Sequence, residues 1–266
     1  MRQVIGVVLL GLIFSQAVTA EEATDPEDDR VSHSGRIING NKVKISKYKH
    51  SVSLWVDGRY FCGASIITLR HALTAAHCVN SIASTPSRAV LYGGSTYLDN
   101  PVVRIAVRKI SVHPSYSPTS ASREYDVAVL RAPKNAFQGK PNMAPIKLQG
   151  SEVSVGANCY VVGWGWYDNN VAQASNHLRH TSLKIVSDSD CSQIFRKVIT
   201  PNQICSVNGS NKEVCKGDSG SALVCGGRLT GVVSHGRVPC TSAAPTVYTK
   251  VVGPSIRSFI RSQAGI

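Results

Sequence analysis

Eight cysteines constrain this chain more than any other feature: Cys62, Cys78, Cys159, Cys191, Cys205, Cys215, Cys225 and Cys240. Their number is even, they are scattered, and no Cys-x-x-Cys pair occurs. That distribution favours pairing in an oxidising compartment over a zinc site. Spacing alone leaves the connectivity open.

The N-terminus agrees with that compartment. Arg2 precedes an apolar run from Val4 to Phe14, followed by Ala17-Val18-Thr19-Ala20. This is the layout of a secretory signal peptide over residues 1–20, cut after Ala20. The run is well short of the ~20 residues that span a bilayer, and no later stretch is long enough. The expectation is a secreted, extracellular protein that does not associate with membrane.

Residues 21–36 have a different composition. Glu21, Glu22, Asp25, Glu27, Asp28 and Asp29 face only Arg30 and Arg36, with almost no apolar content to bury. Arg36-Ile37-Ile38-Asn39-Gly40 follows directly. One basic residue and then an apolar pair, at the end of an acidic leader, read as a processing junction. Residues 21–36 are then a propeptide and 37–266 the mature domain.

Removing residues 1–36 takes away three basic and six acidic residues, raising the formal charge from +13 to +16. Such a surface favours anionic partners through its long-range field; outside a cell these are acidic glycans or proteins. The charges are dispersed and no nucleic-acid motif occurs, so nucleic acid is not an expected partner.

Length alone fits one large all-β unit or two small domains. Short Val- and Ile-rich runs bounded by Gly, Pro, Ser or Asn predict strands at 51–56, 64–69, 103–112, 126–130, 159–163, 223–225 and 229–234. The stretch 131–145, with Pro133, Gly139, Pro141 and Pro145, is the best internal linker. Ile256, Phe259 and Ile260 stand at helical spacing behind Pro254, which predicts one terminal helix.

Three local settings carry chemistry. Thr74-Ala75-Ala76-His77-Cys78 puts a histidine beside a cysteine, Asp126-Val127-Ala128-Val129-Leu130 opens a strand with a carboxylate, and Gly217-Asp218-Ser219-Gly220 places a serine in a glycine-flanked turn. Each alone has an ordinary structural explanation. Together, in the order His, Asp, Ser, they resemble the trypsin-like (chymotrypsin-fold) serine proteases. The resemblance runs from Arg36 onward and includes Phe61-Cys62-Gly63, Gly163-Trp164-Gly165, Ser234-His235-Gly236 and Val247-Tyr248-Thr249-Lys250-Val251. In general character the chain is similar to insect trypsin-like enzymes.

The resemblance implies two packed six-stranded antiparallel β-barrels, about 37–140 and 141–266, with a C-terminal α-helix. It pairs the cysteines as Cys62–Cys78, Cys159–Cys225, Cys191–Cys205 and Cys215–Cys240. It assigns His77, Asp126 and Ser219 to catalysis and the backbone N–H groups of Gly217 and Ser219 to the oxyanion. Cleavage at Arg36 would free the Ile37 amine to pair with Asp218. The implied partners are protein or peptide substrates, an activating protease that cuts after arginine, and protein protease inhibitors.

The same resemblance puts Glu213 at the base of the substrate pocket, with Ser234, Gly236 and Thr246 around it. Glu213 stands where trypsins carry aspartate and Thr246 where they carry glycine. A weakened basic preference, a small-residue preference, and a Glu213 paired internally all remain open, the first being favoured. His235 replaces the family's usual tryptophan beside the bound peptide and adds a titratable group to the cleft. Ser221 and Ala222 replace Gly-Pro after Gly220, and Ala64 replaces a glycine after Gly63. Residues 93–99 lack the glutamates of calcium-binding trypsins, so no metal or other cofactor is expected. Asn208-Gly209-Ser210 is an N-glycosylation sequon. Two function classes follow: an active secreted endopeptidase, or a catalytically weak homologue that binds or regulates within a proteolytic cascade.

Overall fold

A computed structural model describes Met1 and residues 40–168, 171–208, 214–237, 240 and 244–266, with the side chains of 171 and 172 excepted. The expected signal peptide, the propeptide, Arg36, Ile37 and Glu213 lie outside the described residues.

Short apolar and β-branched runs, mostly buried along several consecutive residues, build the strands. These are β1 Asn41–Lys42, β2 Ser51–Val56, β3 Arg59–Ile66, β4 His71–Thr74, β5 Ala89–Gly93, β6 Val103–Ala106, β7 Lys109–Val112, β8 Ala128–Arg131, β9 Asn158–Gly163, β10 Trp166–Asp168 and β11 Val171–Ala174. The chain continues with β12 Arg179–Val186, helix α1 Asp188–Phe195, β13 Gln203–Val207, β14 Ala222–Cys225, β15 Arg228–His235, β16 Thr246–Lys250 and helix α2 Pro254–Ala264. In β12 the buried residues are Arg179, Thr181, Leu183 and Ile185, a strict period of two. Strands β4 and β14 are instead buried along their whole length.

The second sheet closes. Its order is β12-β13-β16-β15-β14-β9, with β9 pairing back onto β12 and β1 added outside β12. The first sheet runs β6-β5-β2-β3-β4-β8-β7, all antiparallel. Its end strands are two halves of one stretch, 103–112, which the sequence reading takes as a single strand. The chain bends at Val107-Arg108, where Val107 N donates to Ala89 O of β5 and Arg108 N to Arg131 O of β8. One bent strand thus passes from one edge of the sheet to the other and curls it. The expected all-β, two-sheet architecture holds, with the second barrel closed by a ladder and the first sheet curled by this bend into a half-barrel.

The linker stretch 131–145 is anchored rather than loose, because Phe137 and Met143 are buried in the first core. That core includes Leu54, Ile66, Leu73, Leu91 and Leu130, and it continues through Val224 and Leu229 of the second sheet. Helix α2 opens with Pro254 at its first position and stops at Gly265, whose φ is 75°. It buries Ile256, Phe259 and Ile260, each worth roughly 1.5–3 kcal/mol. Phe259 sits 5.0 Å from the His113 ring, and Ser255 Oγ lies 3.1 Å from His113 Nε2. The C-terminal helix therefore docks on the first sheet and locks the two sheets into one unit.

Helix α1 has no counterpart in the sequence reading. Ser187 caps it by accepting from Asp190 N, and Cys191 is its one buried residue. Four disulfides join Cys62–Cys78, Cys159–Cys225, Cys191–Cys205 and Cys215–Cys240, the pairing the resemblance implied.

Candidate active site

The three chemistry-bearing segments converge where the sheets meet. After β4 the chain enters a tight turn, Ala76–Cys78, pinned by the Cys62–Cys78 bond. His77 is held twice by Asp126: its backbone N donates to Oδ1 at 2.9 Å and its ring Nδ1 to Oδ2 at 2.7 Å. With Nδ1 as the donor, Nε2 is left as the ring's acceptor. Asp126 is fully buried, which a carboxylate tolerates only when it is well hydrogen-bonded. Ser234 Oγ supplies a third bond to Oδ2 at 2.6 Å, and Thr249 Oγ1 fixes the Asp126 backbone carbonyl at 2.8 Å.

Donor logic extends this network outward. Ser234 Oγ has one proton and gives it to Asp126, so it must accept from His235 Nδ1, 3.1 Å away. His235 Nε2 is then the acceptor for Lys197 Nζ at 2.9 Å. A directed chain therefore runs from Lys197 through His235 and Ser234 to Asp126. Lys197 also donates to Ala121 O at 3.1 Å. Burial, then the Lys197 and Arg123 cations, push the His235 pKa down to about 3. This ring therefore stays neutral near neutrality.

His50, also buried, is pushed down to about 4 by desolvation. In the unfolded chain both rings take up a proton near pH 6.5, and the folded chain refuses it. Stability is therefore present above about pH 6.5 and falls as pH drops, by up to about 1.4 kcal/mol per ring per pH unit. Urea titrations between pH 7 and 5 should show this loss, and it should shrink in His50→Gln. An unchanged midpoint would contradict the buried-neutral assignment.

Ser219 sits in a turn that only glycine permits. Gly217 has φ 91°, and a Cβ there would stand 3.1 Å from Gly165 Cα. Gly220 has φ 82°, and a Cβ there would lie 2.4 Å from Gly63 O. Gly63 N donates to Ser219 O at 2.8 Å, Gly220 N to Val233 O at 2.9 Å, and Tyr60 Oη to Gly217 O at 2.6 Å. Among the described residues, neither the Gly217 N–H nor the Ser219 N–H donates to a protein acceptor. Two adjacent, rigidly held donors suit a developing oxyanion. Gly217→Ala should retain the fold by circular dichroism yet lower kcat about a hundredfold; an unchanged kcat would remove the turn from catalysis.

Ser221, a departure from the family pattern, fits because Gly63 leaves it room: a Cβ at Gly63 would meet Ser221 Oγ at 2.1 Å. Asp218 is fully buried, accepting from Gly165 N at 2.9 Å and Cys215 N at 3.0 Å. Burial raises its pKa to about 6 against the pull of those two N–H groups. Glycine is required at 163 and 165, where a Cβ would fall 2.2 and 2.5 Å from the Asp218 side chain.

His77 and Ser219 line one cleft of about 280 Å³ together with Ser234, His235, Gly236 and Thr246. The bond from Ser219 Oγ to the His77 ring is not made among the described residues, and bonds of this kind often tighten only with substrate. The buried Thr246 faces Gly236, where a Cβ would stand 3.5 Å from Thr246 Oγ1. The structure thus gathers every described pocket residue the sequence singled out. Sequence reasoning missed Tyr60, Lys197 and Arg123; only Tyr60 carried a signal, being next to Phe61-Cys62-Gly63.

Asn208 behaves differently from its sequon. It is buried, and its Nδ2 donates to Thr181 Oγ1 at 2.9 Å and to Ser182 O. The nitrogen a glycan would occupy is turned inward in the folded chain, which argues against the glycosylation expectation. Among the described residues, Cys62, His77 and Cys78 cluster as would metal ligands, but both sulfurs are in the disulfide.

The sequence model of the family described as Trypsin matches residues 37–260. Trypsin beta of Drosophila erecta is 32% identical over 256 residues, covering 95% of this chain and 98% of that protein. Trypsin alpha of Drosophila melanogaster is 31% identical over 256 residues, covering 95% and 97%. The solved structure of neuropsin, a serine protease expressed in the limbic system of mouse brain, superposes with a TM-score of 0.75. It is 28% identical and covers 84% of this chain and 98% of that one. Fold, site and relatives converge: this chain belongs to the trypsin family of serine endopeptidases.

Proposed function

We propose that this protein is a secreted endopeptidase made as a zymogen, activated by cleavage after Arg36, and working through His77, Asp126 and Ser219. The observation that carries the reading is Asp126 gripping both the backbone and the ring of His77 in the cleft that Ser219 lines. Ser219 Oγ attacks the substrate carbonyl while its proton passes to His77 Nε2. The N–H groups of Gly217 and Ser219 hold the resulting oxyanion. As the oxyanion collapses to a carbonyl, the peptide C–N bond breaks, His77 gives the proton to the leaving amine, and the acyl group stays on Ser219 Oγ. Water repeats the two steps: it loses a proton to His77, displaces the acyl group as a carboxylic acid, and Ser219 recovers its proton. Asp126 keeps the ring in the correct tautomer and stabilises it when protonated, as in the worked triad of this family.

The favoured residue before the cut is basic. Gly236 leaves one wall of the pocket without a side chain, Thr246 narrows the other, and Val214 and Val233 are apolar. A long slender side chain with a cationic tip suits such walls, with Glu213 as its counter-charge. No feature of the site favours the catalytically weak alternative. The test is a series of peptide reporters differing only before the cut. Arginine or lysine should exceed alanine in kcat/KM by about tenfold or more; equal or better cleavage after alanine would overturn the basic preference.

A further inference from the structure

The cleft beside Ser219 is rimmed by cations that, among the described residues, form no ion pair with a carboxylate. Arg123, Lys216 and Arg237 line it, and Lys197 stands against its His235 wall. Their contacts among the described residues are to neutral groups. Lys197 donates to Ala121 O and His235, and Arg237 donates to Ile194 O. Lys216 lies 4.6 Å from the centre of the Trp166 ring.

Two of the four, Lys197 and Arg237, gather around a single side chain, together with the His235 ring. The Phe195 ring has Lys197 Nζ at 5.5 Å, Arg237 Cζ at 5.9 Å and the His235 ring at 5.9 Å. Arg123 lies close enough to repel both Lys197 and a protonated His235. Four of the described acids are engaged elsewhere: Asp57 with Arg88, Glu152 with Lys250, Asp126 with His77, and Glu124 with Asn202. Lys197 is partly desolvated, and burial lowers its proton affinity. A partly dried cation with only neutral acceptors gains more from an incoming carboxylate than a freely hydrated one does.

We propose that Arg123, Lys197 and Arg237 form an acid-selecting subsite, so that the preferred substrates carry aspartate or glutamate in the two to four residues before the cut. This rests on the peptidase reading above and adds the class of peptide it takes. A peptide whose last residue fills the pocket walled by Gly236 and Thr246 leaves it past His235 and Gly236, where these cations stand. Phe195 supplies the apolar floor for the methylenes of glutamate, and the three cations meet its carboxylate. The acidic leader contains Glu27-Asp28-Asp29-Arg30, with acids at all three positions, which serves as the probe.

The experiment uses protein cleaved after Arg36, with active sites counted by a serine-directed phosphonate. Reporters Glu-Asp-Asp-Arg and Gly-Ala-Ala-Arg are compared, and a second pair ends in alanine, so the ratio is readable whichever residue the pocket prefers. The acidic member of a pair should be cleaved about tenfold more efficiently at low salt, and high salt should erase most of the difference. The triple variant Arg123→Asn, Lys197→Gln, Arg237→Gln should bring the ratio close to one, and Lys197→Glu alone should push it below one. A ratio at or below one in the unaltered protein overturns the proposal, as does a ratio the triple variant leaves unchanged. A heparin fragment that binds through these residues without competing with the acidic reporter would assign them to a glycan and overturn it as well. Failure of phosphonate labelling would sink the peptidase reading instead, so the two failures are separable.

Discussion

Ser219→Ala, cleaved after Arg36, should hydrolyse peptides at least about 10⁴-fold more slowly than the unaltered protein. It should also lose all labelling by a serine-directed phosphonate. The size of the effect follows from the chemistry: no neighbouring group can replace the hydroxyl, while His77 and the oxyanion donors have nothing to activate without it. The substitution should not disturb the fold. The Ser219 backbone is held by its neighbours, with Gly63 N donating to its carbonyl and Gly220 N to Val233 O, and among the described residues no structural bond depends on its Oγ. Thermal unfolding midpoints of the two proteins should agree within a few degrees. A variant that keeps its activity would remove Ser219 from the mechanism.

Asp218→Asn, again in cleaved protein, should lower kcat/KM about a hundredfold or more. A fully buried carboxylate whose burial raises its pKa to about 6 is held at a cost. An amine delivered to it would offset that cost, and removing one partner of a buried ion pair costs about 3–5 kcal/mol. The two backbone bonds explain how the effect reaches the reaction. Asp218 accepts from Gly165 N and Cys215 N, which connects the turn carrying Gly217 to one wall of the pocket. In the proposed active form the amine of Ile37 is the partner, and pairing would favour its charged form over that of a free terminus, which titrates near ~8. The activated conformation is then fully held below that pH and lost as pH rises through the paired value. Steady-state kinetics should show an alkaline fall in kcat/KM that tracks the loss of the pair. Full activity in the asparagine variant would contradict this role.

The fold was legible wherever local composition and spacing were enough. Strand β2 and the terminal helix follow directly from Ser51–Val56 and from Ile256, Phe259 and Ile260. Reading failed where a long-range constraint decides. Nothing local in 103–112 marks the bend at Val107-Arg108, because its cause is the pairing of its two halves with β5 and β8. Helix α1 is short, only Cys191 is buried in it, and a disulfide ties that residue to β13. Cysteine pairing came from resemblance, since spacing does not encode it.

The site divides in the same way. His77, Asp126 and Ser219 each carry a recognisable neighbourhood, and the glycines of Gly217-Asp218-Ser219-Gly220 are demanded by a turn that admits no Cβ. The chain from Lys197 to Asp126 could not be read, because it joins four residues from distant segments through proton-donor rules that apply only once they meet. The same meeting explains why His235, a titratable group in the cleft, stays neutral. Asn208 shows the converse, a short signal cancelled by burial.

The most direct measurement is intact-protein mass spectrometry of the chain treated with a serine-directed phosphonate, before and after cleavage at Arg36–Ile37. The account predicts one adduct per molecule, mapped to Ser219, only after the cut, with peptide hydrolysis rising in proportion to the labelled fraction. Cleaved, folded protein that neither takes up the phosphonate at Ser219 nor hydrolyses peptides would contradict it, and so would full labelling and hydrolysis by the uncut chain.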